Sequence, residues 1–172
     1  MPRPLRPRRS AIWSIIWRVL YGLIRIVDPL LRSWIANGLP GFDGVVELRF
    51  VGRRSGRPRR MLVTLLSHGG RWYVGHPNGP TDWQRNIEAT GWVDVEPPGA
   101  GGPRFAVTRL GPGPERDAVI RATATQQFFP ADVVYRAAQR HIAAVGTYHR
   151  LEPISGGSVP SQPAAPQPEG VR

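Results

Sequence analysis

Gly52-Arg53-Arg54-Ser55-Gly56-Arg57-Pro58-Arg59 is a glycine-bounded turn that holds four arginines between two strand-like runs, Val45–Val51 and Met61–Leu66. Arginine's planar fork pairs at two points with phosphate or carboxylate, Ser55 adds a donor, and the glycines let backbone approach a ligand closely. No Asp or Glu lies between Leu48 and Thr81, so nothing nearby in sequence neutralises the turn. It reads as a socket for an anion; a solvated basic turn is the other reading that spacing leaves open.

Composition narrows the partners. The chain has 172 residues, 41% of them hydrophobic, which suits one globular domain with its own core. Its net charge of +11 is carried by arginine, there being no lysine, and favours an anionic partner: a phosphate cofactor, acidic lipid or nucleic acid. Without cysteine there is no disulfide framework, thiol nucleophile or cysteine-ligated zinc. The four histidines, His68, His76, His141 and His149, lack paired ligand spacing, so no metal site is expected. An RNA-reading strand would carry interleaved aromatics, and Leu48–Leu66 contains only Phe50, which argues against nucleic acid.

Four zones must position this chemistry. Residues 1–10, with three prolines and four arginines, read as a mobile basic head. Residues 11–40 read as amphipathic helices: Trp13, Ile16, Trp17, Leu20, Ile24 and Val27 form one face, Ser14, Arg18, Tyr21 and Arg25 a polar stripe, with a break at Asp28-Pro29. The arginines and length argue against a spanning helix, and the interrupted apolar run with no clear small-residue cleavage site against a signal peptide, which favours a cover for the domain's own core or a helix lying in a membrane interface through residues 11–35. The address expected is cytoplasmic, peripheral at the inner membrane face. Residues 41–153 read as a compact α+β domain with strands Val45–Val51, Arg60–Ser67, Trp72–Gly75, Trp92–Glu96, Arg104–Leu110 and Val145–Leu151. Helices are expected over Asp82–Thr90, where Thr81 and Gly91 supply caps, and over Glu115–Phe128 and Ala131–Ala144. Residues 154–172 read as a Pro-rich disordered tail. Strands without βαβ alternation predict a small, mostly antiparallel barrel, too narrow to enclose a large ligand, so a cofactor would lie outside it or between two protomers of a homodimer.

The turn Gly52–Arg59, the strand ending Tyr73-Val74-Gly75 and the helix Asp82-Trp83-Gln84-Arg85-Asn86-Ile87-Glu88-Ala89, in that order and spacing, resemble the deazaflavin-dependent nitroreductases, split β-barrel oxidoreductases of actinobacteria. The resemblance covers about 42–153. It implies an FMN-binding-type split barrel with an N-terminal amphipathic helix and peripheral helices, and use of coenzyme F420, whose tail carries a phosphodiester and glutamates. By this analogy Arg53, Arg54, Ser55 and Gly56 hold the phosphate, Arg59 and Arg60 the carboxylate tail, and Met61 and Val63 run along the ring system. His76, Pro77, Asn78 and Gly79 offer backbone amides, and Trp83 and Asn86 brace the cofactor from the short helix, where core packing for Trp83 and a local hydrogen bond for Asn86 are the competing roles. Tyr135 is the candidate for acceptor binding or proton delivery, with Trp17, Phe128 and Phe129 as walls of a pocket for a small hydrophobic acceptor such as a quinone or nitroaromatic. Met61, the short loop before Trp83 and the run Arg140-His141-Ile142-Ala143-Ala144 depart from the family pattern, on the acceptor side more than at the socket. A binding protein without turnover and an FMN-dependent enzyme are the rival functions.

Overall fold

The computed structural model describes residues 4–22, 44–96, 102–127 and 131–154. Helix α1 covers residues 11–22. Seven strands follow, β1 (Val45–Val51), β2 (Pro58–Thr64), β3 (Leu66–His68), β4 (Arg71–His76), β5 (Trp92–Glu96), β6 (Arg104–Arg109) and β7 (Thr147–Pro153). Helix α2 (Asp82–Thr90) stands between β4 and β5, and α3 (Pro114–Thr125) and α4 (Ala131–Val145) between β6 and β7. All pairings are antiparallel, in the order β2-β1-β5-β6-β7-β4-β3.

The continuous strand expected over Arg60–Ser67 is divided at Leu65. Its first part pairs with β1, Val46 opposite Val63 and Leu48 opposite Met61, and its second with β4, Leu66 opposite Tyr73. Because β2 and β3 are the two edges of the sheet, one residue carries the chain from edge to edge, and the sheet must curl for that to happen. Periodicity shows an apolar run of strand length but not that its two halves belong to different partners. β7 is likewise displaced, to Thr147–Pro153, and lies inside the sheet between β6 and β4.

The curled sheet has a core on each face. One contains Leu48, Phe50, Val74, Val93 and Phe105, with Met61 and Val63 packed against it, and is plugged by Trp83 and Ile87 of α2. Helix α2 spans the residues expected, because both ends are chemically specified. Gln84 Oε1 accepts the Thr81 N–H at 3.0 Å, and Gly91, at φ +74°, returns its N–H to Ile87 O at 2.9 Å. The other core, Trp17, Tyr73, Val119, Ile120, Ile142 and Tyr148 among others, is covered by α1, α3 and α4. Gly75 and Tyr148 are opposite one another across β4 and β7, and a Cβ on Gly75 would stand inside the Tyr148 ring. Gly75→Ala is therefore expected to lower the stability by about 2 kcal/mol, through overpacking of a buried ring, as a fall in denaturation midpoint at unchanged m-value.

Residues 4–10, expected as a mobile head, lie against α3 and α4. Leu5 N donates to Asp117 Oδ2 at 2.9 Å, Arg8 N to Arg140 O at 2.9 Å and Ser10 N to His141 Nδ1 at 3.2 Å, so backbone hydrogen bonds hold a segment that side-chain composition marks as loose. Helix α1 is also rotated from expectation. Trp13, Ser14, Trp17 and Tyr21 turn inward, while Ile16 and Leu20 join Ile12, Ile15 and Val19 outside. The reason is polar: Asn78 Nδ2 donates to Ser14 O at 3.3 Å and the Tyr21 ring lies 4.3 Å from that of His76, contacts to which a hydrophobic period is blind. The break at Asp28-Pro29, Phe128, Phe129 and the tail beyond Ile154 fall outside the described residues. Among those residues no helix is long and apolar enough to cross a membrane.

Candidate functional site

The arginine turn joins β1 to the edge strand β2. Gly52 N donates to Arg57 O at 2.9 Å, and Gly56, at φ +64°, donates to Gly52 O at 2.8 Å, so the loop closes on itself by backbone bonds. Its side chains divide into two sets. Arg53 turns toward α2: its guanidinium donates to Asn86 Oδ1 at 2.9 Å, Asp82 O at 3.2 Å and Asp82 Oδ1 at 3.1 Å, and its N–H also reaches Asn86 Oδ1 at 3.2 Å. Hydrogen bonding to Arg53, with its charge, holds the exposed Asp82 carboxyl below the usual carboxylate range. Arg54, Arg57, Arg59 and Arg60 are exposed and form no ion pair among the described residues. A Cβ on Gly52 would sit 2.8 Å from Ser55 Oγ, 3.5 Å from Arg57 O and 3.6 Å from Arg59 Nε, so glycine there lets the turn fold its own hydroxyl and guanidinium closely over the backbone.

The turn carries donors that a phosphate asks for, the Ser55 hydroxyl and four exposed arginines that form no ion pair among the described residues. Gly56 lies exposed within it, and Arg60 stands across from Arg49 on β1, whose own charge is taken by Glu96 at 2.8 Å and Glu47 at 3.3 Å. Met61 and Val63 point toward the core that α2 plugs. Trp83, 7% exposed, belongs to that core. Asn86 serves as the acceptor that fixes Arg53. The structure thus brings Arg53, Asn86 and the turn together, and adds Asp82, which sequence reading placed only at a helix start. No local signal marks Asp82 as a partner of Arg53, since 29 residues separate them.

A second group gathers around α1. Tyr135 of α4 meets Trp17 edge-on at 4.9 Å between centroids, and its hydroxyl lies 3.4 Å from that of Tyr21. Burial raises both phenols, Tyr21 to about 12 and Tyr135 well above the ordinary value, so both keep their protons at neutral pH. The loop His76–Gly79 is buried apart from the half-buried Asn78, and its polar groups are engaged. Asn78 N donates to His76 Nδ1 at 3.2 Å, and Asn78 Oδ1 lies 3.2 Å from His141 Nε2. Because His141 Nδ1 accepts from Ser10, its Nε2 carries the hydrogen and donates to Asn78. The loop therefore receives α1 on this side. Tyr21 and His141 were not singled out in the sequence: a tyrosine on an assumed polar stripe and an isolated histidine carry no spacing signal.

Desolvation pulls His76 down to about 4, partly opposed by a hydrogen bond to the Gly79 backbone, and burial also lowers His141 and His149. Below its ordinary value near 6.5 the unfolded chain takes up the proton that folded His76 refuses. Stability present above pH 6.5 is accordingly lost as the pH falls toward 4, about 3 kcal/mol from His76 alone. Melting curves at pH 7.5 and 5 should show this loss, and His76→Gln should reduce it.

No protein-family model matches this chain, and no curated protein does. Among solved structures it is similar to an F420-H2 dependent reductase, FDR-A, with TM-score 0.50 and 18% identity over 64% of this chain and 95% of that one. HutZ, a heme storage protein from Vibrio cholerae, gives 0.49 and 13% over 76% and 92%. A pyridoxamine 5'-phosphate oxidase-related, FMN-binding protein from Nostoc punctiforme gives 0.45 and 12% over 73% and 78%. The fold is the split barrel, as the sequence resemblance implied. At these identities the likeness is one of fold.

Proposed function

We propose that this chain is an F420-dependent oxidoreductase acting on a small hydrophobic acceptor, a quinone or nitroaromatic. The observation that carries the reading is the turn itself, where the Ser55 hydroxyl stands among Arg54, Arg57, Arg59 and Arg60, all exposed and forming no ion pair among the described residues. Such an array suits the phosphodiester and carboxylates of a deazaflavin tail better than the single phosphate of FMN, because Arg59 and Arg60 extend the charge of Arg54 and Arg57 from the turn along the edge strand β2.

When bound, the reduced deazaflavin supplies a hydride. The residues of the chain bind and orient. Arg54, Ser55 and Gly56 would hold the phosphate, and Arg59 and Arg60 the tail carboxylates, while Arg53, clamped by Asp82 and Asn86, fixes the shape of the turn. Met61 and Val63 lie on the strand along which the ring would run, with His76, Pro77, Asn78, Gly79 and Trp83 backing it. Tyr135, protonated and beside Trp17 and Tyr21, would donate a hydrogen bond to an acceptor oxygen and polarise it. Peripheral contact with the inner membrane face through residues 11–35, a cytoplasmic address and a homodimer complete the proposal; the outward apolar side of α1 supports the first.

Titration of the purified protein with oxidised F420 by fluorescence, with FMN in parallel, is the test, followed by F420H2 oxidation with menadione. Tight, salt-sensitive F420 binding and menadione-dependent oxidation are expected. Binding without oxidation would leave a carrier of the cofactor, and preferred binding of FMN would replace the deazaflavin reading.

A further inference from the structure

Helix α2 is fastened on two opposite faces. Gln84 and Glu88, four residues apart, turn to β7: Gln84 Nε2 donates to Thr147 O at 2.9 Å, and Glu88 Oε1 lies 2.7 Å from His149 Nε2. Asp82 and Asn86, also four apart, turn to the arginine turn and hold Arg53. At about 100° per residue the two pairs stand about 200° apart around the helix. Trp83 and Ile87, between them, plug the core. Apolar packing has no direction, so these two side chains alone would let the helix roll, whereas hydrogen bonds on opposite faces stop it.

His149 is the buried end of this fastening. It is fully buried on β7, with Val74 of β4 and Arg109 of β6 opposite it across the sheet. Burial lowers the ring below its ordinary value, against the pull of Glu88, so the ring is neutral at pH 7 and Nε2 donates its hydrogen to the carboxylate. Nδ1 is then a buried acceptor with no partner among the described residues. An apolar residue such as Leu151, two positions on and on the same face of β7, would strand nothing there. What the histidine adds is one bond, to Glu88, whose carboxylate also lies 3.5 Å from Arg109. The far end of that bond is the helix that carries the acceptors of Arg53. We propose that His149 is a positioning residue for the arginine turn: through Glu88 it fixes the roll of α2, and so the place where Asp82 and Asn86 hold Arg53, which on the F420 reading above sets cofactor affinity.

Hydrogen–deuterium exchange on the cofactor-free full chain reads the turn directly, through Gly52, Arg53 and Gly56, whose N–H groups are bonded within the turn or to Asn86. H149L is expected to speed exchange over residues 52–59 about 10-fold, and H149Q, which keeps a donor, to stay within about 2-fold of wild type. E88A, which cuts the same bond at a partly exposed residue, should match H149L. G75A, which crowds Tyr148 in the other core, is the control for general loosening and should leave residues 52–59 at the wild-type rate. F420 titration in the wild-type and R53A backgrounds reads the consequence: H149L should weaken binding about 10-fold in the first and less than about 2-fold in the second. Wild-type exchange over residues 52–59 in both H149L and E88A, or the same acceleration in G75A, would overturn the positioning role. Equal fold losses in the two backgrounds would overturn its route through Arg53. A wild type that fails to bind F420, with H149L still loosening the turn, would remove the cofactor reading and leave the positioning role supported.

Discussion

Replacing Arg54 and Arg59 together with alanine is expected to weaken F420 binding about 100-fold while leaving the melting temperature unchanged. Both side chains are exposed and lack an ion pair among the described residues, so the fold draws little stability from them. A phosphate or carboxylate held by each would form charge-assisted hydrogen bonds contributing about 1.5 kcal/mol apiece, hence the two orders of magnitude. Arg53→Ala should behave differently. Its guanidinium ties the turn to Asn86 and Asp82, so the melting temperature should fall along with affinity. Fluorescence titration of the two variants beside thermal melts decides the matter. Unchanged affinity in the double variant would remove the socket.

Arg116→Met should lower stability by about 3 kcal/mol, a fall of about 10 °C in melting temperature for a chain of this size. Arg116 is 9% exposed and reaches from α3 to the end of α4, donating to Ala143 O at 3.0 Å and Gly146 O at 2.7 Å. These carbonyls lie where a helix end leaves acceptors without partners, and the cation also faces the negative end of the helix. Burial pulls the guanidinium below the usual arginine value, a cost the bonds to the carbonyls offset. Methionine fills similar space but donates nothing, stranding buried acceptors. A melt indistinguishable from wild type would show that water replaces Arg116 freely.

The elements with strong local chemistry were legible in the sequence. Helix α2 was readable to the residue because Thr81 and Gly91 cap its ends. The hairpin around Gly52–Arg59 was readable because glycines and Pro58 punctuate two apolar runs. The attachment of the N-terminal arm and the exact inward face of α1 were not legible for one reason: composition reports side-chain preference, whereas Leu5, Arg8 and Ser10 are held by their backbone N–H groups, and Ser14 by its carbonyl.

By itself the sequence determined an arginine-rich turn able to receive an anion, an antiparallel α+β domain and the register of its short helix, because each depends on residues close together along the chain. Tertiary structure decided which arginines stay available. Asp82, 29 residues away, takes Arg53, while Arg54, Arg57, Arg59 and Arg60 face outward. It also decided that Leu65 carries the chain between the two edges of the sheet, that Tyr21 meets Tyr135, and that His149 meets Glu88. These pairings depend on how the sheet curls and where the helices pack, and such long-range geometry leaves no period or spacing in the residues that take part.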